Sequence, residues 1–392
     1  MTTLQKGKAL LRYLAAITAI SLGLLLLLEF AGWILTPERY QQPPAVTADA
    51  WIYSDALPRP DTVWMKEFVD EFCQSYNAYW TSYVYFRRYP FSGRHINVDS
   101  SGLRRTHQAA LRTGDSIRPP RLLLLGGSTM WGTGARDSGT IPSALARAIA
   151  ADSVFGPAEV VNLGESGYVS TQGVLRLELE LRKGNIPDLV VLYDGVNDVF
   201  SAYQNGAAGL PQNETHRADE FNLLKDYGRM MRLGAGDVLS RTVTAGIISS
   251  IREKMTVAPP PPPPQMDVVG DVIRLYRENL GIVDALSRQY GFRYEAYWQP
   301  VVFTRRNPSP YEQNESEKVK HVRPLFLEVY RQLQLDSVLQ GNPRFHDISG
   351  IFDTVETPVY LDFCHISEPA NAIIARRMYA DITASFRPQA PF

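Results

Sequence analysis

A serine stands at an abrupt break in an apolar run, in the stretch LGGSTMWG from Leu125 to Gly132. A serine hydroxyl becomes a nucleophile for acyl transfer when a neighbouring base removes its proton. The two glycines before Ser128 would let the chain turn sharply and expose the hydroxyl at the end of a buried strand. The alternative is a structural turn in which Ser128 or Thr129 caps the next helix.

The stretch DFCH, from Asp362 to His365, supplies a matching base near the end of the chain. An imidazole suits this task because its unperturbed pKa, about 6.5, lies close to neutral pH. Asp362 precedes His365 by three residues, so its carboxylate can reach the second ring nitrogen and hold one tautomer. The residues therefore predict a catalytic triad of Ser128, His365 and Asp362.

Two further turns could stabilise the oxyanion that forms during acyl transfer. They are NLGESG, which ends at Gly167, and GVND, which contains Asn197. The backbone N–H groups of Ser128 and Gly167 and the side-chain amide of Asn197 are the candidate donors. Loss of one such donor typically costs about 3 kcal/mol of transition-state stabilisation.

These residues can meet only if the chain folds as a sheet with parallel strands. From Arg121 onward, short apolar runs alternate with helical patterns, which predicts a parallel sheet covered by helices on both faces. Strands are expected at 121–127, 158–164, 188–194, 292–300 and 346–351, and helices after Thr140, at 170–184, over about 25 residues after Met266, at 315–336 and after Glu368. Ligands of such sheets bind beyond the carboxyl ends of the strands, where all four turns would lie.

The four turns, taken together, resemble the sequence blocks of the SGNH (GDSL-like) hydrolase superfamily. GGST resembles the first block, NLGESG the second, GVND the third and DFCH the fifth. The resemblance covers about 120 to 385 and implies a flavodoxin-like three-layer α/β/α fold. It also implies Ser128 as nucleophile, Gly167 and Asn197 as oxyanion donors, and Asp362 with His365 as the remaining pair. One departure is Gly127, which stands where many members carry Asp.

Other motifs and bulk properties exclude several classes of function. The chain has no G-x-S-x-G elbow, P-loop or dinucleotide-binding glycine motif around Ser128. Its 40 basic and 41 acidic residues give no basic footprint for nucleic acid. Cys73 and Cys364 cannot form a four-ligand zinc site, so neither a metal nor a cofactor is predicted. A disulfide between them would be permitted outside the cytoplasm, but the sequence does not indicate one.

The N-terminal region predicts an uncleaved membrane anchor at 13–35. Basic residues, among them Lys6 and Arg12, precede an apolar run from Leu14 to Leu35, which is long enough to span a bilayer. They favour a cytoplasmic tail at 1–12 and a main domain on the periplasmic or extracellular side. A cleaved signal peptide is the alternative, although no small-x-small site follows the run.

Between the anchor and the catalytic turns, residues 36–118 are expected to form a linker and an aromatic-rich extension. The rings between Glu71 and Phe91 would either pack onto the main domain or form a stacking surface for a sugar or a partner protein. The hydrolase domain is expected at 119–388. It contains an insertion at 199–265 that includes a proline run, Pro259 to Pro264, and could be a lid or a surface excursion.

Three acidic residues flank the predicted site motifs: Glu165, Asp194 and Asp198. We expect them to be solvated turn residues, with a polar subsite as the alternative. Cys364, beside His365, is expected to serve packing or a disulfide rather than catalysis.

Three functions follow from this organisation. The first is an extracytoplasmic serine esterase that removes acyl groups, with acetyl favoured, from carbohydrate or another small ester. The second is an O-acyltransferase that uses the same triad on envelope or exported polysaccharide. The third is a structural subunit of a membrane complex, in which the N-terminal helix and the extension contact a membrane-protein partner. The sequence indicates no oligomeric state.

Overall fold

The computed structural model describes residues 3–35, 63–110, 118–152, 156–214, 217, 218, 221 and 266–386. The chain divides into two compact units. The first comprises Met1–Thr47 and His216–Pro260, and the second comprises Ala48–Thr215 and Pro261–Phe392. The linker predicted before residue 63 and the proline run lie outside the described residues.

In the first unit, helix α1 spans Thr3–Leu35. Within the described ranges, no helix combines the length and the apolar character that a membrane crossing requires.

The second unit opens with the aromatic-rich extension. Its elements are helix α2 (Val63–Ser75) and strands β1 (Ala78–Thr81), β2 (Tyr85–Arg88), β3 (Phe91–Ser92) and β4 (Asn97–Val98). Strands β1 and β2 pair as one antiparallel hairpin, and β3 and β4 as a second. A small core joins the extension to the rest of the unit through Phe68, Ile96, Trp131 and Leu361. The extension therefore packs directly against the neighbours of Ser128 and Asp362.

The predicted parallel sheet is confirmed. It consists of β5 (Arg121–Gly126), β6 (Glu159–Asn162), β7 (Leu189–Asp194), β8 (Arg293–Trp298) and β9 (Phe345–Asp347). The order is β6-β5-β7-β8-β9, and every pair is parallel. Residues 122–125 and 189–194 are buried along their full length, as expected for strands covered on both faces.

Helices follow the strands in the alternation that the sequence predicts. They are α3 (Ser128–Trp131), α4 (Ile141–Ala150), α5 (Ser170–Arg182), α6 (Val196–Asn205), α7 (Met266–Tyr290), α8 (Pro310–Lys318), α9 (Arg323–Leu335), α10 (Ser337–Gln340) and α11 (Glu368–Phe386). Helix α4 packs against α11, whereas α7 packs against α5 and α9. Right-handed crossovers explain these two layers. The connection from β5 to β6 moves along the sheet in one direction and the later connections move in the other, so their helices lie on opposite faces.

One predicted helix, at 315–336, is wrong as a single element. The structure has two helices, α8 and α9, separated by the turn at 319–322. Helix α8 begins earlier than expected because Ser309 and Glu312 form a capping box. Pro324 lies in the first turn of α9, where its missing N–H is harmless; inside a continuous helix it would remove a hydrogen bond and clash. The proline therefore sets the break.

Candidate active site

Ser128 is the first residue of α3 and lies immediately beyond the carboxyl end of β5. The turn depends on Gly126, whose φ of 153° lies in a region that residues with a β-carbon avoid. A β-carbon there would come within 2.4 Å of the Tyr193 carbonyl oxygen on β7. The glycine thus allows the close approach of two central strands at the point where the serine leaves the sheet.

Ser128, His365 and Asp362 form a continuous hydrogen-bonded chain. The distance from His365 Nε2 to Ser128 Oγ is 2.7 Å, and that from His365 Nδ1 to Asp362 Oδ2 is 2.5 Å. The other carboxylate oxygen of Asp362 accepts hydrogen bonds from the backbone N–H groups of Cys364 and His365, at 2.8 and 2.7 Å. These bonds fix the carboxylate, so the ring it contacts is held with Nε2 facing the hydroxyl.

The surroundings of Asp362 keep its carboxyl group ionised. Burial raises its pKa, but the positive charge of His365, the hydrogen bond to it and the two backbone N–H groups outweigh this effect. Together they lower the pKa from 3.8 to about 2. At any pH at which the imidazole titrates, Asp362 is therefore an anion that favours a proton on Nδ1.

The structure brings Asn197 against the turn that carries Ser128. A β-carbon on Gly127 would lie only 2.2 Å from Asn197 Nδ2. One N–H of this amide donates to the Tyr168 carbonyl at 2.8 Å, which orients the group. An amide nitrogen carries two hydrogens, so the second can be aimed at an oxyanion.

Gly167 belongs to a turn that runs beside the exit of β5. The backbone N–H groups of Leu163 and Glu165 donate to the carbonyls of Leu124 and Gly126, at 2.8 and 3.1 Å. Gly167 has φ 74°, a left-handed conformation that glycine adopts without strain. All five predicted site residues are thus present at the carboxyl edge of the sheet, and their catalytic roles stay predictions.

Sequence reasoning missed Gln212. Its Nε2 donates to Asn197 Oδ1 at 3.1 Å, and its Oε1 would lie 2.9 Å from a β-carbon on Gly167. The residue therefore bridges the two predicted oxyanion donors. No local pattern marks it, because it lies in an irregular stretch after α6 and reaches the site only through the path of that stretch.

The expectation that Glu165 is solvated is wrong, since only 1% of the residue is exposed. Its Oε1 accepts a hydrogen bond from Arg88 Nε at 2.9 Å. The same guanidinium donates to Ser166 Oγ at 2.6 Å and lies over the rings of Tyr76 and Trp131. An arginine of the extension thus holds the turn that contains Gly167, and the two buried charges form an ion pair, although Glu165 Oε2 has no hydrogen-bond partner among the described residues.

Asp194 and Asp198 are also buried rather than solvated, with exposures of 3% and 6%. Asp198 accepts hydrogen bonds from the backbone N–H and the hydroxyl of Ser170, at 3.0 and 2.5 Å. Asp194 Oδ2 is buried without a hydrogen-bond partner. Burial raises the pKa of both carboxyl groups, and the proximity of Asp198 raises that of Asp194 further. This pair lies at the start of α6, the helix that carries Asn197.

Cys73 and Cys364 are both free thiols. Cys364 is buried with its Sγ 3.7 Å from His365 Nδ1, and burial together with Asp362 raises its pKa well above the usual range. A neutral thiol is a poor nucleophile, which favours Ser128 in that role. Asp362, Cys364 and His365 place three potential ligand atoms within 4.8 Å. The carboxylate is already hydrogen-bonded to the imidazole, and the imidazole to the hydroxyl of Ser128.

Fold and site together define a class of protein. A parallel sheet in this order, with a serine after its first strand, an asparagine after its third and Asp-x-x-His after its last, is the arrangement of an SGNH-type serine hydrolase.

Residues 124–316 match the model of the GDSL-like lipase/acylhydrolase family. The chain is therefore a hydrolase with a domain of this family. No curated protein sequence shows significant similarity to the chain.

Several solved structures resemble the chain at low sequence identity. The acetyl xylan esterase AlAXEase is 12% identical, with 67% of this chain and 99% of that chain covered and a TM-score of 0.36. A catalytic mutant of Axe2, an acetylxylan esterase from Geobacillus stearothermophilus, is 15% identical, with coverages of 68% and 96% and a TM-score of 0.37. A putative arylesterase from Agrobacterium tumefaciens str. C58 is 17% identical, with coverages of 68% and 99% and a TM-score of 0.35. TM-scores this low support no argument about the substrate of the present chain.

Proposed function

We propose that the chain is a serine esterase that removes acyl groups, with acetyl favoured, from carbohydrate outside the cytoplasm. The observation that carries this proposal is the hydrogen-bonded sequence from Ser128 Oγ through His365 to Asp362. A serine hydroxyl in this setting can lose its proton to the imidazole as it attacks a carbonyl carbon.

The proposed reaction runs in two halves. In the first, His365 Nε2 takes the proton of Ser128 as Oγ attacks the ester carbonyl. The oxyanion of the tetrahedral intermediate accepts hydrogen bonds from the free N–H of Asn197 and from the backbone N–H groups of Ser128 and Gly167. His365 then returns the proton to the departing sugar hydroxyl, which leaves an acyl group on the serine. In the second half, His365 activates water by the same route, and acid and free serine are released.

The acyl group of the substrate is not expected to occupy the apolar cavity at the amino edge of the sheet. An apolar cavity of about 300 Å³ is lined by Pro120, Leu122 and Leu189. These residues lie at the amino ends of β5 and β7, whereas Ser128 follows the carboxyl end of β5. Ligands of such sheets bind at the carboxyl ends, so this cavity is misplaced for the acyl chain of a substrate.

Hydrolysis of 4-nitrophenyl esters by the full-length chain tests the proposal. We expect 4-nitrophenyl acetate to be hydrolysed with a higher kcat/KM than the octanoate. Ser128→Ala should lower kcat by at least about 10⁴-fold, as expected for removal of a triad member. Ser101→Ala, at an exposed serine of the extension, is the matched control and should leave kcat unchanged. Undiminished activity in Ser128→Ala would disprove the proposed nucleophile.

The same preparation separates the alternatives. Acetyl transfer to an added oligosaccharide that outpaces hydrolysis would assign the O-acyltransferase function, because both reactions share the acyl-serine intermediate. Failure of a fluorophosphonate to label Ser128 would favour the structural subunit, since this reagent reacts with activated serines.

We also propose that residues 13–35 anchor the enzyme with its catalytic domain outside the cytoplasm. The support is the apolar run from Leu14 to Leu35 together with the preceding basic residues. After expression in a bacterial host, the chain should stay with membranes in alkaline carbonate, and protease added to spheroplasts should digest its catalytic domain. Release by carbonate, or full protection from protease, would contradict this topology.

A further inference from the structure

The hairpin of β1 and β2 carries large aromatic rings that face solvent. Trp80 is 67% exposed and Tyr83 is 69% exposed. The ring of Trp80 stacks on that of Tyr85, with centroids 5.2 Å apart and planes inclined by 16°. We call these three residues the aromatic platform. Trp80 and Tyr83 differ in this from Phe68 and Phe72 of the same extension, which pack inward against the core that contains Trp131 of α3.

The backbone of the platform is held in an unusual conformation. Tyr83 has φ 69° and Tyr85 has φ 76°, values that bulky residues rarely adopt. Trp80 pairs in the ladder with Phe86, yet its ring stacks on Tyr85. The left-handed backbone at Tyr85 breaks the strand alternation, which explains how this ring reaches the face of Trp80. Strain of this kind concentrates at binding and catalytic sites.

The platform is attached to the loop that carries one predicted oxyanion donor. The carbonyl of Val84 accepts a hydrogen bond from Gln172 Nε2 at 3.0 Å, and that of Phe86 accepts one from Tyr168 Oη at 2.5 Å. Both partners follow Gly167 by no more than five residues. Strand β2 therefore lies along the segment that begins at the oxyanion loop.

A second contact joins the platform to the other side of the site. Tyr85 Oη donates to Glu214 Oε1 at 2.9 Å. Glu214 follows Gln212 by two residues, and Gln212 holds Asn197 and borders Gly167. The platform is thus linked through Glu214 and Gln212 to both candidate oxyanion donors.

We infer that the aromatic platform binds a sugar ring of the substrate next to the sugar that carries the acyl ester. This inference rests on the proposed function, since it places the carbohydrate portion of the same substrate. The electron-rich face of a tryptophan or tyrosine attracts the C–H groups on the flat side of a pyranose. The exposed Tyr83 can exchange hydrogen bonds with sugar hydroxyls through its own hydroxyl. A patch of aromatic faces with polar rims suits carbohydrate better than a lipid, which would favour aliphatic side chains.

Binding of oligosaccharides that carry no O-acyl ester tests the inference without relying on catalysis. The full-length chain carrying Ser128→Ala would be titrated by calorimetry with the β-1,4-linked hexasaccharides of xylose, glucose and N-acetylglucosamine. At least one should bind, and Trp80→Ala should weaken its binding about tenfold, with Trp80→Phe in between. Tyr89→Ala is the matched control, because Tyr89 is exposed and directly follows β2, and its ring contacts that of Tyr79 in a tilted arrangement outside the platform. It should leave the affinity unchanged.

A kinetic comparison with the active enzyme separates this inference from the proposed function. For Trp80→Ala, the ratio of kcat/KM on the acetylated hexasaccharide to that on 4-nitrophenyl acetate should fall about tenfold, mainly through KM. If wild type hydrolyses the small ester but none of the hexasaccharides binds, or Trp80→Ala binds them as well as wild type, the platform is disproved and the esterase stands. If wild type hydrolyses no ester while Trp80→Ala and Trp80→Phe still weaken sugar binding in the expected order, sugar binding by the platform is supported and the esterase function is disproved.

Discussion

Replacement of Gly127 by alanine should damage catalysis while sparing the fold. An added β-carbon would stand 2.2 Å from Asn197 Nδ2, whereas ordinary contacts begin at about 3.4 Å. The amide nitrogen would therefore have to retreat by about 1.2 Å. The obstructing atom is the end of a side chain, so the amide can swing aside without a backbone shift. Gly127 itself has φ −83°, a value that alanine adopts freely.

The expected size of the effect follows from the role of the displaced group. A misplacement of about 1 Å near the reacting atoms costs about 10²-fold, and loss of one oxyanion donor costs about 10²–10³-fold in kcat. We expect kcat of Gly127→Ala on 4-nitrophenyl acetate to fall within this range and KM to change little. The free energy of unfolding should change by no more than about 1 kcal/mol, because the lost hydrogen bond from Asn197 to the Tyr168 carbonyl is offset by reduced freedom of the unfolded chain.

A double-mutant cycle shows whether the loss passes through Asn197. If Gly127→Ala acts by moving that amide, then adding it to Asn197→Ala should lower kcat no further. Gly281→Ala is the matched control, because nothing lies within 4 Å of a β-carbon at this position in helix α7. It should raise stability by about 1 kcal/mol and leave kcat unchanged.

Two results would refute this reasoning. One is a Gly127→Ala enzyme whose kcat stays within about threefold of wild type, which would mean that the position of Asn197 does not limit the chemistry. The other is a double variant in which the two losses multiply, which would mean that the two residues act independently.

Three further expectations concern ionisation and the buried charges. Fluorophosphonate labelling of Ser128 should fall with decreasing pH below about 6, as His365 becomes protonated; equal labelling from pH 5 to 8 would contradict its role as base. Arg88→Met should lower the free energy of unfolding by about 3–5 kcal/mol, because it leaves the Glu165 carboxylate buried and unpaired, and a second substitution, Glu165→Gln, should restore part of the loss in denaturant titrations. Asp194→Asn should raise Tm more at pH 8 than at pH 4. Burial raises the pKa of this carboxyl group, so wild type loses stability as the pH rises above the ordinary aspartate pKa of 3.8. An equal gain in Tm at both pH values would contradict the raised pKa.

The contact between Arg88 and Glu165 gives the extension a part in the site. Residues 63–104 lie outside the segment that matches the family model, yet they supply the guanidinium that holds the turn containing Gly167. Because Trp131 follows Ser128 by three residues and also contacts this guanidinium, one buried cation contacts the neighbourhoods of both the predicted nucleophile and a predicted oxyanion donor. The extension is therefore a structural component of the candidate active site.

The sequence by itself determined the sheet and the order of the site residues. The apolar run Leu122–Leu125 and its counterparts at 189–193 have to be buried wherever they fold, and their alternation with helices admits a parallel sheet almost uniquely. Turns after parallel strands share one edge, so the predicted convergence of Ser128, Asn197 and His365 followed from local patterns alone.

Only the tertiary structure decided what surrounds that site. Glu165 and Asp194 were expected to be solvated, yet both are buried, and Arg88 of the extension binds Glu165. Gln212 lies in an irregular stretch that carries no pattern, yet it contacts Asn197. Burial of a polar residue depends on which distant group satisfies it, and a local pattern holds no information about that partner. A few neighbouring residues are enough to specify a strand that ends in a turn. The burial and the hydrogen bonds of the site residues depend instead on contacts between segments that are distant in the sequence.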